Sequence, residues 1–483
     1  MRICLINPPE DNMIVADNPS FIDEERGFNP PLGLLYIASY LLRHTSHEVF
    51  VIDSPAEELS YDALAQRIKD VAPDVVGIPA MTLTLLDVIK TARLVRKINP
   101  SAKIIAGGPH ATIYPEETAS LDAVDYVILG EGEEVFLKLV TALSRKEHFP
   151  EIKGLAYKDA RGIFKNFGMA DHIIALDELP HPARHLVPYK KYSSILTRRV
   201  PVTTMFTSRG CPFNCSFCDR PHMGRKFRAR SADNVLDEFT QCLSMGIKEF
   251  LLYDDTFTVN RDRVMELCGK ICAEKRRFPW DIRTRVDTID DAMLTALRKA
   301  GCVRIHYGVE AGTNKVLKEL KKGITIEQAL EVFAKTKEKG ISTLAYFMIG
   351  SPSETEQDVR STIALLKKLK ADFTHITILT PFPATELYMR ALREGVIARD
   401  YWRDFARSPE KGVTICYWER ELSKQRLFSL LREAYRGFYG RPSFIAKSLL
   451  RIRSPREFFV KCKAGLKILG INASSYAVFE QRK

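Results

Sequence analysis

Three cysteines, Cys211, Cys215 and Cys218, stand inside eight residues of the stretch SRGCPFNCSFCDRPHMGRKFRARS (208–231), at the spacing C-x3-C-x2-C. Thiolates bind soft metal ions and iron–sulfur clusters, and their number decides which. A structural zinc site takes four ligands, which C-x3-C-x2-C-x3-H with His222 would supply as Cys3His. A ferredoxin-type cluster takes four thiolates. A four-iron cluster held by three thiolates keeps one iron open, and that iron can bind a substrate. The other seven of the ten cysteines are scattered and form no second cluster motif. Scattered thiols in a chain of 483 residues fit a reducing cytoplasm with one metal site rather than a disulfide framework.

The elements around this loop are strands alternating with helices. Apolar runs at 202–208, 249–255, 281–286, 303–310, 342–350 and 373–380 read as strands, with helical-period segments between them. Six βα units in a row predict a parallel barrel or partial barrel, whose chemistry gathers at strand carboxyl ends. The first strand runs into the three cysteines. The second ends at Asp254 and Asp255, the third at Arg285, the fourth at Glu310, the fifth at Gly350 and the sixth at Pro381.

The front of the chain has the same rhythm. Strand candidates at 2–7, 48–53, 74–80, 103–108 and 126–131 alternate with amphipathic segments and predict a doubly wound, Rossmann-like parallel sheet. Ligands of such sheets sit at the strand carboxyl ends beside the point where strand order reverses. Those ends carry Asn7-Pro8-Pro9, Thr82, Gly107-Gly108-Pro109-His110 and Gly130-Glu131-Gly132-Glu133. No G-x-G-x-x-G follows the first strand, which argues against a dinucleotide. A sheet of this kind that binds nothing is the alternative. The expected organisation is a first domain over 1–145, a linker with a β-hairpin over 146–200, a barrel over 201–390 and a helical, basic region over 391–483.

The C-x3-C-x2-C loop after the first strand of a barrel, with Phe217 just before the last cysteine, resembles the radical S-adenosylmethionine superfamily. NPP, GGPH and GEGE, in that order, resemble the cobalamin-binding domain at the front of one branch of it. GVEAGTNKVLKELKKGIT and GSPSET are similar to further segments of that branch, which includes methylases of unactivated carbon and the anaerobic magnesium-protoporphyrin ester cyclase. The resemblance implies that Cys211, Cys215 and Cys218 hold a 4Fe–4S cluster whose open iron chelates S-adenosylmethionine. Reductive cleavage would then give a 5′-deoxyadenosyl radical. It also implies Phe217 facing adenine, Asp254 and Asp255 beside the methionyl amine, Arg285 and Glu310 on carboxylate and ribose, and Gly350 near adenine. Cobalamin would lie against Asn7, Pro8, Thr82, Gly107, Gly108, His110, Gly130, Glu131 and Gly132. No D-x-H-x-x-G occurs, so His110 is expected to line the site without ligating cobalt.

The implied reaction is cobalamin-dependent methylation of an unactivated carbon. A cobalamin-associated cyclisation or rearrangement is the alternative within the same chemistry, and a non-catalytic iron–sulfur protein the alternative outside it. A methylthiotransferase acting on tRNA would need three more cysteines in the first domain, which offers only Cys4, so no nucleic-acid partner is expected. The expected partners are a small-molecule or lipid-like substrate and a reducing electron donor such as flavodoxin or ferredoxin. The net charge of +12 is concentrated at the end: from Arg441 to Lys483 ten Lys/Arg face two Glu. That stretch suits a helical cap with a solvated basic face, or peripheral contact with an anionic membrane. No segment stays apolar for about eighteen residues, so a cytoplasmic chain is expected.

Overall fold

The computed structural model describes residues 1–15, 27–145, 151–194, 196–197, 199–219, 223–275, 277–442 and 444–445. His222 and all of the basic tail beyond residue 445 lie outside the described residues, and with them the zinc reading's fourth ligand and the membrane-contact expectation.

The first sheet contains β1 (Arg2–Asn7), β2 (Glu48–Asp53), β3 (Val75–Pro79), β4 (Lys103–Gly107), β5 (Tyr126–Ile128), β6 (Leu155–Lys158) and β7 (Phe164–Asn166), in the order 2-1-3-4-5-6-7. The first five strands are parallel. Strand order reverses between β1 and β3, as in a doubly wound fold. The period-two alternation of β1 splits its side chains between two cores. Ile3 and Leu5 pack with Leu34, Leu35 and Phe136 on one face, while Cys4 and Ile6 pack with Leu64, Ile68 and Val88 on the other. The hairpin expected in the linker joins this sheet instead, β6 pairing antiparallel with β5.

The second sheet is built from β8 (Val202–Met205), β11 (Glu249–Leu252), β12 (Trp280–Thr284), β13 (Cys302–Glu310), β14 (Ser342–Ile349) and β15 (Phe373–Ile378), all parallel, in sequential order. Its outer edges, β8 and β15, do not pair, so it is a six-stranded partial barrel. Helices cover the outside. Several begin at a side-chain cap on a backbone N–H near the first turn, from Ser231, Asn260, Asp290, Thr325 and Thr355. A two-stranded ribbon, β9 (Ser208–Arg209) with β10 (Arg228–Ala229), closes the foot of the cysteine loop. After the barrel comes a helix at Lys424–Tyr439, whose Tyr435 and Tyr439 hydroxyls hydrogen-bond the backbone of edge strand β15. That helix covers an edge that would otherwise be open.

The two sheets share a core. Leu85, Ile89 and Tyr114 of the first domain are buried in the barrel's apolar cluster. Glu117 pairs with Arg403 at 2.9 Å across the same junction. Among the described residues no helix is long and apolar enough to cross a membrane.

Candidate functional site

The cysteine loop is held by backbone bonds at both ends. Gly210 enters it at φ 82°, where an added Cβ would collide with the Lys226 carbonyl. Beyond it the Cys211 N–H donates to the Gly224 carbonyl at 3.3 Å. The Ser216 N–H donates to the Leu320 carbonyl, and the Ser216 carbonyl accepts from the Leu387 N–H. Segments that follow β13 and β15 thereby fix the middle of the loop.

All three cysteines line one cavity of about 500 Å³ at the barrel's carboxyl rim. Phe217, Asp255, Arg285 and Glu310 line it too, so four of the six other residues expected at the S-adenosylmethionine site meet the thiols there. The Cys211 sulfur lies 3.8 Å from the Thr256 hydroxyl, and the Arg285 guanidinium donates to the Cys215 sulfur at 3.7 Å. Among the described residues no three His, Cys, Asp or Glu side chains are already drawn into a coordination shell. The donor set nonetheless suits an iron–sulfur cluster: three cysteines without disulfides on one short loop, facing a cavity with room beside them.

Several expected side chains prove to be engaged with protein. Asp254 is buried, and its carboxylate accepts from the Thr207 N–H at 2.6 Å and the Ser208 hydroxyl at 2.7 Å. It pins the start of the loop, and Asp255 is the acid that faces the cavity. Burial and the neighbouring Asp254 carboxylate raise the Asp255 pKa. Arg285 chelates Asp287 through two bonds of 2.8 Å and lies 3.8 Å from the Phe213 ring centroid, which leaves it a brace beside Cys215. Gly350 lies off the cavity; its N–H and that of Ser351 donate to buried Glu354 at 2.7 and 2.8 Å.

Glu310 ends β13 in an unusual backbone conformation, φ 74°, just where the pairing with β14 shifts register. Its carboxylate forms a buried ion pair with Lys322 at 2.8 Å. Gly308 makes room for the pair, since a Cβ there would meet the Glu310 carboxylate and, at 2.8 Å, the Lys322 ammonium. Lys322 comes from the LKELKKG segment and was not among the residues singled out from sequence. A left-handed non-glycine residue at a cavity rim is a strained position of the kind found at functional sites.

At the first domain, His110 is completely buried. Its Nδ1 lies 3.0 Å from the Thr82 hydroxyl, and among the described residues its Nε2 has no hydrogen-bond partner. Burial lowers its pKa to about 4, so the ring is neutral near pH 7. Gly108, at φ 98°, brings the chain against Ala80, and Gly107 leaves the end of β4 without a side chain. Asn7 donates to Asp53 at 2.8 Å, and Pro8 follows it in a buried position. Gly130 sits at φ 87°, and Gly132 opens the helix Gly132–Arg145. A neutral imidazole with an orphaned nitrogen, beside glycines at the carboxyl end of β4, fits a large ring system such as the cobalamin expected here. Glu131, expected as a cofactor contact, instead joins the two domains through its carboxylate, which pairs with Arg209 at 3.0 Å and with Arg228.

Comparison with known proteins agrees with this geometry. Residues 205–366 match the Radical SAM superfamily and residues 22–140 match the B12 binding domain. The chain is 34% identical to an uncharacterized methyltransferase of Pyrococcus horikoshii over 93% of its own length and 95% of the relative's. It is 28% identical to the anaerobic magnesium-protoporphyrin IX monomethyl ester cyclase of Rubrivivax gelatinosus, over 91% and 79% of the two chains. Its fold is similar to that of the radical S-adenosylmethionine methyltransferase TsrM of Kitasatospora setae, with a TM-score of 0.73 at 18% identity over 92% of this chain and 90% of that one. It is also similar to the cobalamin-dependent S-adenosylmethionine radical enzyme OxsB, with a TM-score of 0.75 at 17% identity over 99% and 72%.

Proposed function

Because the chain belongs to the B12-binding family of radical S-adenosylmethionine enzymes, we propose that it methylates an unactivated carbon of a small molecule, using S-adenosylmethionine, a 4Fe–4S cluster and cobalamin. The observation that carries this reading is the meeting of Cys211, Cys215 and Cys218 with Asp255 and the Glu310–Lys322 pair around one cavity. When bound, the cluster would supply one electron for cleaving the sulfonium and cobalamin would supply a methyl carrier.

This chain's own groups bind and shield. The three thiolates would hold the cluster, with the Arg285 guanidinium bracing the loop 3.7 Å from the Cys215 sulfur. Asp255 is the acid facing the methionyl amine, while Asp254 fixes the loop that presents the cluster. Phe217 forms the apolar wall toward adenine. Glu310, held by Lys322, takes the ribose hydroxyls. In the first domain Gly107 and Gly108 let the corrin approach the backbone, and neutral His110 offers one nitrogen without competing for the metal. The electron would come from a flavodoxin- or ferredoxin-type donor.

The test is anaerobic reconstitution followed by reduction with dithionite in the presence of S-adenosylmethionine. Formation of 5′-deoxyadenosine and methionine by the wild type, lost in Cys218→Ala, supports the reading; no product from a protein carrying its full iron complement contradicts it. A second reading, radical cyclisation without methyl transfer, draws on the 28% identity to the ester cyclase. Label from methyl-labelled S-adenosylmethionine that never leaves the cofactor for any organic product would favour it.

A further inference from the structure

Below the rim the barrel carries a cation that forms no ion pair among the described residues. Strands place alternate residues on one face, and Arg283, on β12, stands two residues before Arg285, which directly follows the strand, roughly 7 Å deeper. The strands beside it contribute His306 from β13, Tyr346 from β14 and His375 from β15. They lie in adjoining register, Arg283 opposite His306 and Tyr346 opposite His375. All four line the same cavity as the cysteines.

The neighbouring cations are paired and Arg283 is not. Arg285 is held by Asp287, and Arg304, one layer lower, is held by Asp281 at 2.6 Å. Asp281 also takes His306 Nε2 at 3.2 Å, and the Tyr346 hydroxyl lies 3.1 Å from His306 Nδ1, so this acid and this imidazole are already engaged. The backbone carbonyl of Arg283 accepts from the Phe257 N–H at 3.0 Å, but its side chain has no hydrogen bond or ion pair among the described residues. Its guanidinium lies 3.6 Å from the Tyr253 ring centroid, and its Nε is buried without an acceptor. Asp255 acts on it electrostatically but forms no ion pair with it. His375 packs edge-on against Tyr346 at 5.9 Å, and among the described residues its ring nitrogens have no hydrogen-bond partner.

Arg283 is half-buried, and a guanidinium drawn partly out of water is costly unless an anion meets it. A planar guanidinium stacked on an aromatic ring keeps its N–H edge free for two parallel bonds to an oxyanion. We propose that Arg283, with His375 as second donor, binds an oxyanion group of the substrate, a carboxylate or a phosphate, at the bottom of the cavity. This inference rests on the radical enzyme reading above. Anchored there, the substrate would extend toward the cysteine rim and present its reacting carbon beside S-adenosylmethionine.

The test is calorimetric titration of the anaerobically reconstituted full chain with succinate and, separately, with inorganic phosphate. Binding of one of them, at least tenfold weaker in Arg283→Gln and partly restored in Arg283→Lys, supports the site and identifies the oxyanion. His375→Ala should weaken the same anion at least threefold, and iron content with circular dichroism verifies that each variant is folded. Equal affinity of both anions for the wild type and Arg283→Gln overturns the proposal. So does a tenfold loss of S-adenosylmethionine affinity in Arg283→Gln with anion binding unchanged, since Arg283 would then hold the methionyl carboxylate. Absence of 5′-deoxyadenosine formation by the wild type is a separate outcome, which removes the parent reading whatever the anion titration gives.

Discussion

The carboxylate of Glu131, at the end of the fifth strand of the first domain, and the guanidinium of Arg209, at the foot of the cysteine loop, form a buried ion pair at 3.0 Å. Arg209 also pairs with Glu133, and Arg228, on the opposite strand of the ribbon, pairs with Glu131. The GEGE segment thereby grips both strands from which the cluster loop springs. The bonds to these guanidinium groups hold the Glu131 carboxyl below its usual range despite burial, which acts the other way.

Removing one partner of a buried pair leaves the other charge stranded. Glu131→Gln should therefore destabilise the protein by about 3 kcal/mol or more, read as a fall in the denaturation midpoint. The loop should loosen with it, so iron retained after reconstitution and desalting should fall as well. Unchanged iron retention in a destabilised variant would mean that the pair supports the domain junction and not the loop.

The Glu310–Lys322 pair makes a sharper prediction through Gly308. Gly308→Ala places a methyl group against both charged groups. The KM for S-adenosylmethionine should rise about tenfold, a change of about 1.4 kcal/mol in binding, with a smaller effect on the turnover number. An unaltered KM would remove Glu310 from the binding site.

Gly107 separates a ligand effect from a folding effect. A Cβ there would meet only Ile128, at the ordinary contact distance of 3.6 Å. Gly107→Ala should keep the wild-type melting temperature within a degree or two yet retain less cobalt per chain after loading with hydroxocobalamin. Equal cobalt in both proteins would place the corrin away from the end of β4.

Much of this was legible in the sequence. The apolar runs marked every parallel strand of both sheets, because strands buried on both faces cannot hide their composition. The cysteine spacing located the cavity. The polar residues inside the barrel were harder to see, although they sit on strands already recognised: Arg283, two before Arg285, in DIRTRV, His306 in VRIHYGVE and Tyr346 in STLAYFMIG. Reading the alternation of those strands for polar side chains as well as apolar ones would have found them. The partner of Glu131 was beyond reach, since Arg209 and Arg228 look like any basic residues flanking the cysteine loop and the first lies 78 residues away. For the same reason Asp254 and Asp255 could not be told apart. Only the fold decides which of two adjacent acids turns inward to Thr207 and Ser208.

Glu354 gives the protein a pH dependence of its own. Burial raises its pKa to about 7, while the unfolded chain ionises near 4.5. Between those values the native state holds a proton that the unfolded state has released, so stability falls as pH rises from 4.5 to 7 and levels off above. Glu354→Gln should remove this loss. The difference in melting temperature between variant and wild type should grow in the variant's favour from pH 5 to pH 8, by up to about 3 kcal/mol in stability. A difference that does not change with pH would mean that Glu354 is ionised in the native state throughout.

The central claim is that one chain joins a three-thiolate cluster to cobalamin. The most direct measurement is the iron and cobalt content per chain after anaerobic purification, iron–sulfur reconstitution and loading with hydroxocobalamin. About four irons with close to one cobalt is the predicted result. Four irons with no cobalt would contradict it, and the first domain would then serve the substrate or nothing at all.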